Sequence, residues 1–129
     1  RKAASNDEVR ALAARLALES ADYTWVDSAF LELATPSIPD GIQACIDKGA
    51  TEIVVLPYFL SAGRHVSHDV PSLVHGKRLE HPNIKIKMAA YLGASLGLDR
   101  LLLETVEQGQ CSECSGQDQC RYPDCFKEA

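Results

Sequence analysis

Two groups of residues have the types and spacing that chemistry needs. The first is Gly63-Arg64-His65-x2-His68-Asp69, which follows the apolar stretch Ile53-Val54-Val55-Leu56 and Tyr58–Leu60 and precedes Pro71. A neutral imidazole near pH 7 can hold a divalent metal or take a proton, so His65 is a candidate metal ligand or general base. The alternative is a loop histidine that only hydrogen-bonds the following helix. Arg64 has a planar fork that suits a substrate carboxylate, or else an ion pair with a neighbouring helix. His68 lies near the same loop, whereas His75 and His81 fall on a helix face and its end, where solvated histidines are ordinary. Asp69 is placed to cap the next helix. A second carboxylate, Glu32, closes the apolar run Trp25–Leu33. Carboxylates are seldom buried unpaired, so it points to a partner, a metal or a cleft, unless it simply faces water.

The second group is Cys111-x2-Cys114-x5-Cys120-x4-Cys125, with Gly116 and Pro123 supplying turns. Four thiolates this close together suit zinc or an iron–sulfur cluster. Two disulfides or idle thiols are the alternative. The rest of the chain looks cytosolic, which favours metal. No Walker-type loop, Gly-x-Gly-x-x-Gly or Gly-x-Ser-x-Gly elbow is present.

The elements that must position these residues alternate. Ser5 and Glu8 form a capping box ahead of Val9, Leu12, Ala13, Leu16 and Ala17, which predicts a helix over 6–20. Trp25–Leu33 reads as a strand. Pro36-Ser37-Ile38-Pro39-Asp40 opens a second helix with Ile38, Ile42, Cys45 and Ile46 on its buried face and Gly49 as its C′ residue. The strand from Ile53 follows, then a helix over 70–79 carrying Leu73, Val74 and Leu79, ended by His81-Pro82. Ile84, Ile86, Met88 and Ala90 alternate with lysines as an edge strand does, and a last helix spans 98–108. This order predicts an α/β fold, a parallel sheet with helices on both faces. The first helix has no strand feeding it, so a strand is expected ahead of Arg1. The domain reading is an α/β body over 1–107 and a Cys-rich tail over 108–129.

Composition bounds the function. A chain of 129 residues suffices for one core. Its charge of −5 and lack of a basic stripe argue against nucleic acid, and its longest apolar runs are strand-sized, which argues against a membrane span.

Phe30-Leu31-Glu32-Leu33-Ala34-x-Pro36-Ser37-Ile38 together with Pro57-Tyr58-Phe59-Leu60-x2-Gly63-Arg64-His65-Val66-x2-Asp69-Val70-Pro71 resembles the sirohydrochlorin chelatases. These are small class II chelatases that insert Fe²⁺ or Co²⁺ into precursors of siroheme and cobalamin. The resemblance covers residues 1–107. It implies a chelatase-like, flavodoxin-like sheet, Glu32 and His65 as active-site positions, and a carboxylate-rich tetrapyrrole substrate anchored by Arg64. It also implies a homodimer with the cleft near its interface. Similar proteins carry a strand ending His-Gly-Ser-Arg, and Arg1 resembles the last residue of that motif, so a metal-binding histidine is expected just upstream. Some relatives, plant chelatases among them, carry a Cys-rich extension associated with an iron–sulfur cluster. Cys111, Cys114 and Cys120 resemble it, with Cys125 beyond the match, and on that ground iron is expected over cobalt. The expected compartment is the cytoplasm, or the plastid stroma for a plant-like source. A reading from another class is a non-catalytic metal or iron–sulfur carrier or sensor on the same scaffold.

Overall fold

The computed structural model describes residues 2–108; the cysteine group from Cys111 to Cys125 lies outside them. The chain divides into a unit ending at Ser95 and a unit beginning at Leu96. In the first, helix α1 spans Lys2–Glu19. Ser5 therefore lies inside the helix rather than at its start, because Lys2, Ala3 and Ala4 are good helix formers and extend it backwards. Only part of the predicted stripe is covered: Ala13 is buried, but Leu16 is 41% exposed. Arg10 ties α1 to the next segment, with its guanidinium 4.7 Å over the Phe30 ring and Nη2 donating to the Thr35 carbonyl at 3.0 Å.

Residues 25–33 do not form the predicted strand. A single parallel bridge joins Phe30 to Ser37, with the Phe30 N–H donating to the Pro36 carbonyl at 2.9 Å. Leu33 takes the left-handed conformation (φ 55) and is 84% exposed. A strand is held by a neighbour along its length, and among the described residues none runs beside this one.

Helix α2, Ile38–Asp47, begins as its sequence predicts: Ser37 is extended and its Oγ accepts from the Asp40 N–H at 3.2 Å, while Gly49 (φ 104) follows its end. Strand β1, Glu52–Val55, pairs in parallel with β2, Lys85–Met88, in the register Ile53 to Ile86. Helix α3, Val70–Glu80, connects them. Ile38 and Ile42 of α2, Ile53, Val70 and Val74 of α3, and Ile86 form one core, and burial of such side chains at roughly 1.5–3 kcal/mol each holds α2 and α3 on the strands. Leu79, one of the apolar residues that the sequence reading gives to α3, is 69% exposed. Val70, Val74 and Lys77 recur every three to four residues and share a face; Leu79 lies about 200° round from Lys77.

Lys77 is the buried cation of this core. Its Nζ donates to Gln43 Oε1 at 2.7 Å and to Glu80 Oε1 at 3.3 Å, and His81 Nε2 lies 2.9 Å from the same Gln43 oxygen. His81 is thus part of a cross-helix network rather than a solvated helix end. Away from the core, Lys87 Nζ bonds Glu52 Oε1 at 2.7 Å across the two strands. In the second unit, α4 spans Leu98–Gln108, and Thr105 Oγ1 donates back to the Leu101 carbonyl at 2.6 Å.

Candidate active site

Strand direction fixes which end of the sheet the loops before α2 and α3 open on. The four-residue linkers 48–51 and 81–84 bring the ends of α2 and α3 to the starts of β1 and β2. The helices, ten and eleven residues long, span about 15–17 Å, against about 13 Å for a four-residue strand. Their N-termini therefore return to the carboxyl end of the strands. Glu32 precedes the start of α2 and His65 the start of α3, so the loops carrying both residues open at one end of the sheet. Ligands of open α/β sheets bind at this end.

The loop after β1 is held from beside it. Pro57 is buried and its carbonyl accepts from the Leu92 N–H at 3.0 Å, while Phe59 O accepts from the Gly93 N–H at the same distance. Gly93 lies so close to Leu60 that a Cβ would overlap its carbonyl. This short turn, Leu92–Ala94, sets the path of the backbone towards His65. The Phe59 ring lies 6.1 Å from the imidazole of His65, centroid to centroid.

His65–Asp69 forms one π-helical turn, wider than an α turn, that runs directly into α3. Such single turns are found often at functional sites. Gly63 anchors it: its carbonyl accepts from the Val66 and Ser67 N–H groups at 3.1 and 3.0 Å and from Ser67 Oγ at 3.0 Å. Asp69 is already helical (φ −66, ψ −51), and its side chain makes no capping bond. The expectation that it caps α3 is thus incorrect, because an N-cap needs extended backbone to turn its oxygen onto the next turn's amides. Its carboxylate is engaged elsewhere. Oδ2 lies 2.8 Å from His65 Nδ1, and Oδ1 lies 3.2 Å from His68 Nδ1 and 3.9 Å from Arg64 Nε. The His65 and His68 bonds hold its carboxyl below the usual carboxylate range.

An ionised carboxylate only accepts, so each facing Nδ1 is the donor, which leaves Nε2 as the ring nitrogen turned away from Asp69. Arg64 is 84% exposed at its side chain, which leaves its stem in solvent. Glu32 lies exposed in the bends between Phe30 and Ser37. The structure thus gathers Arg64, His65 and His68 on Asp69, with Glu32 on the separate loop before α2. His75 is exposed on α3. The four-residue spacing of His65 and Asp69 on a helical turn is the sequence signal for this cluster. Among the described residues, no group of three or more His, Cys, Asp or Glu side chains converges on a metal position. Cys45 is half-buried, and burial pushes its thiol up, as suits a packing residue. Two open hollows of about 370 and 430 Å³ flank Arg10 and include neither Glu32 nor His65.

Fold and site define an α/β protein with an imidazole–carboxylate cluster at the carboxyl end of a parallel sheet. Residues 1–109 match the CbiX family model, and the chain belongs to that family. It is 33% identical over 109 residues to the sirohydrochlorin cobaltochelatase of Priestia megaterium, a match covering 84% of this chain and 35% of that protein. Against the chloroplastic sirohydrochlorin ferrochelatase of Arabidopsis thaliana it is 34% identical over 116 residues, covering 80% and 50%. The crystal structure of the sirohydrochlorin chelatase SirB from Bacillus subtilis subspecies spizizenii, in complex with cobalt, superposes with a TM-score of 0.70 at 25% identity, covering 80% and 44%. The chain spans half or less of the length of each of these relatives. No helix among the described residues is long and apolar enough to cross a membrane.

Proposed function

We propose that this chain carries out, or forms part of a protein that carries out, insertion of a divalent metal into sirohydrochlorin. The carrying observation is the family match over residues 1–109, with relatives named as cobalto- and ferrochelatases of sirohydrochlorin. Insertion exchanges two pyrrole N–H protons for one divalent ion, with no change of oxidation state. His65 presents Nε2 to the incoming ion, and an imidazole suits Fe²⁺ and Co²⁺ alike. Glu32 receives a departing proton or strips water from the ion. Arg64 pairs with the macrocycle's carboxylates through charge-assisted bonds.

Of the two metals we favour Fe²⁺, on the resemblance of the cysteine tail to that of ferrochelatase-type relatives. The same resemblance supports an iron–sulfur cluster on Cys111, Cys114 and Cys120, with Cys125 a further thiol. The four thiols are a suitable donor set, and when bound the cluster would supply electron-transfer or structural chemistry that insertion itself does not use. A homodimer follows from the size of the macrocycle, since one lobe supplies half of the walls it needs. The compartment is the cytoplasm, or a plastid if the source is plant-like. The relatives' names favour an enzyme over a carrier on the same scaffold.

The test is incubation with sirohydrochlorin and either Fe²⁺ or Co²⁺ under anaerobic conditions, following the macrocycle's absorption. Acceleration over the protein-free rate supports the proposal, and a faster rate with Fe²⁺ supports the metal assignment. A chain that binds metal yet neither binds nor metallates sirohydrochlorin overturns it in favour of a carrier. Iron and sulfide analysis of anaerobically purified protein tests the cluster, and light scattering in solution tests the dimer.

A further inference from the structure

We infer that Asp69 is the positioning residue of the site: its carboxylate, steadied by His68 and Arg64, holds the His65 ring as the Nδ1–H tautomer and so presents Nε2 as the metal-binding nitrogen. This rests on the reading of His65 as the residue that meets the metal. Three observations carry it. Asp69 spends no oxygen on capping α3, so both remain for the loop. Oδ2 meets His65 Nδ1 at 2.8 Å, a strong charge-assisted length, whereas Oδ1 takes the longer contacts from His68 at 3.2 Å and Arg64 at 3.9 Å. The side chain of Asp69 is 29% exposed against 48% for His65 and 70% for His68, so the anchor is the most enclosed member and the ring it holds is more open.

The helical turn that leads into α3 carries the arrangement. Residue 69 lies one helical turn on from residue 65, close enough for their side chains to meet, while the Gly63 carbonyl ties down Ser67 between them. The Phe59 ring lies beside the imidazole, tilted 38° to it. A carboxylate behind a metal-binding imidazole fixes ring orientation and strengthens the ligand, and its loss typically lowers metal affinity or activity about 10–100-fold.

The experiment compares the full chain with Asp69→Ala, Asp69→Asn and His65→Ala. Ring ¹⁵N spectra of the metal-free protein at neutral or mildly alkaline pH, with His65 assigned by its loss in His65→Ala, report the tautomer. The unchanged chain should show Nδ1 protonated and Nε2 bare. Asp69→Ala should move His65 towards the Nε2–H form that free imidazoles prefer, and lower kcat for Co²⁺ insertion about 10–100-fold with little change in KM for sirohydrochlorin. Asp69→Asn, whose amide oxygen still accepts, should restore part of both, and covers the case in which the alanine variant fails to fold. An Asp69 variant that folds and leaves the His65 tautomer unchanged overturns the inference. If His65→Ala inserts metal at the full rate, the assignment of His65 fails, and the metal-presenting role of Asp69 fails with it. If His65→Ala is inactive but Asp69→Ala is not, only the positioning role fails.

Discussion

The segment 25–36 and the segment 52–80 start from similar material, an apolar run followed by a helix start, and fold differently. The second becomes β1, a π turn and α3, with Ile53, Val70 and Val74 buried in the common core. The first makes one bridge at Phe30 and then a series of bends that leave Leu33 and Glu32 exposed. What separates them is a neighbour: β1 has β2 beside it through four residue pairs, and residues 25–33 have no ladder. An apolar run specifies that a segment is able to be a strand; the partner decides whether it is one.

The widest gap between the two regions should appear in stability. Ile42→Ala removes a side chain that is 5% exposed in the shared core and should cost about 2–5 kcal/mol, read as a fall in the denaturant midpoint. Leu33→Ala, at 84% exposure, should stay within about 0.5 kcal/mol. Equal losses would mean that the first segment is packed after all.

Activity gives the next contrast. His65→Ala and Glu32→Gln should each slow metal insertion about 10²-fold or more if both act as assigned. Because Glu32 stands on the less restrained loop, a Glu32→Asp variant should retain more activity than one at a rigid position would, measured as kcat with Co²⁺. A Glu32→Gln enzyme at the full rate would remove the first segment from the site.

Two glycines sharpen the comparison further. Gly93→Ala sets a Cβ against the backbone carbonyl of Leu60, where nothing flexible can yield, and should cost about 1–3 kcal/mol and slow insertion by displacing the loop before His65. Gly41→Ala meets the Cβ of Ala29 at 2.8 Å, but residues 25–33 lack a ladder and can move away. Its melting temperature should fall less than that of Gly93→Ala.

The smallest effect concerns acid. Lys87 holds the Glu52 carboxyl low, and His65 and His68 hold that of Asp69 low. A depressed folded pKa contributes stability above the ordinary carboxylate range, which is lost as pH falls through the folded value. The melting temperature should therefore be level down to the ordinary range and decline below it, with Glu52→Gln shallowing the decline slightly. The pair is exposed and partly screened, so a steep loss in this variant near neutral pH would contradict the account.

Much of the chain from Ser37 onward was legible because its signals are local. Ser37 and Gly49 punctuate α2, Ile53 and Ile86 face the core, and His65 stands where a strand gives way to a helix. The first segment was not legible, since whether Phe30 and Val26 join a sheet depends on residues far from them. Asp69 misled for a different reason: the composition of an N-cap was present, but the π turn had already placed it in helical backbone. Lys77 was passed over and His81 read as solvated because a lone lysine or histidine on a helix carries no sign of the glutamine, thirty-four and thirty-eight positions away, that receives it.

That glutamine acts as a vernier between two helices. Gln43 Oε1 takes hydrogen bonds from Lys77 and His81, and its Nε2 gives one to Asp47 at 2.9 Å, so the amide can be seated in only one sense. A slip of α3 along α2 by a single turn, about 5.4 Å, would strand an ammonium among isoleucines. The axial stagger of the two helices is thereby indexed at their far ends. The loops at their near ends, with Glu32 on one and His65 on the other, inherit their relative height from a contact that neither of them touches.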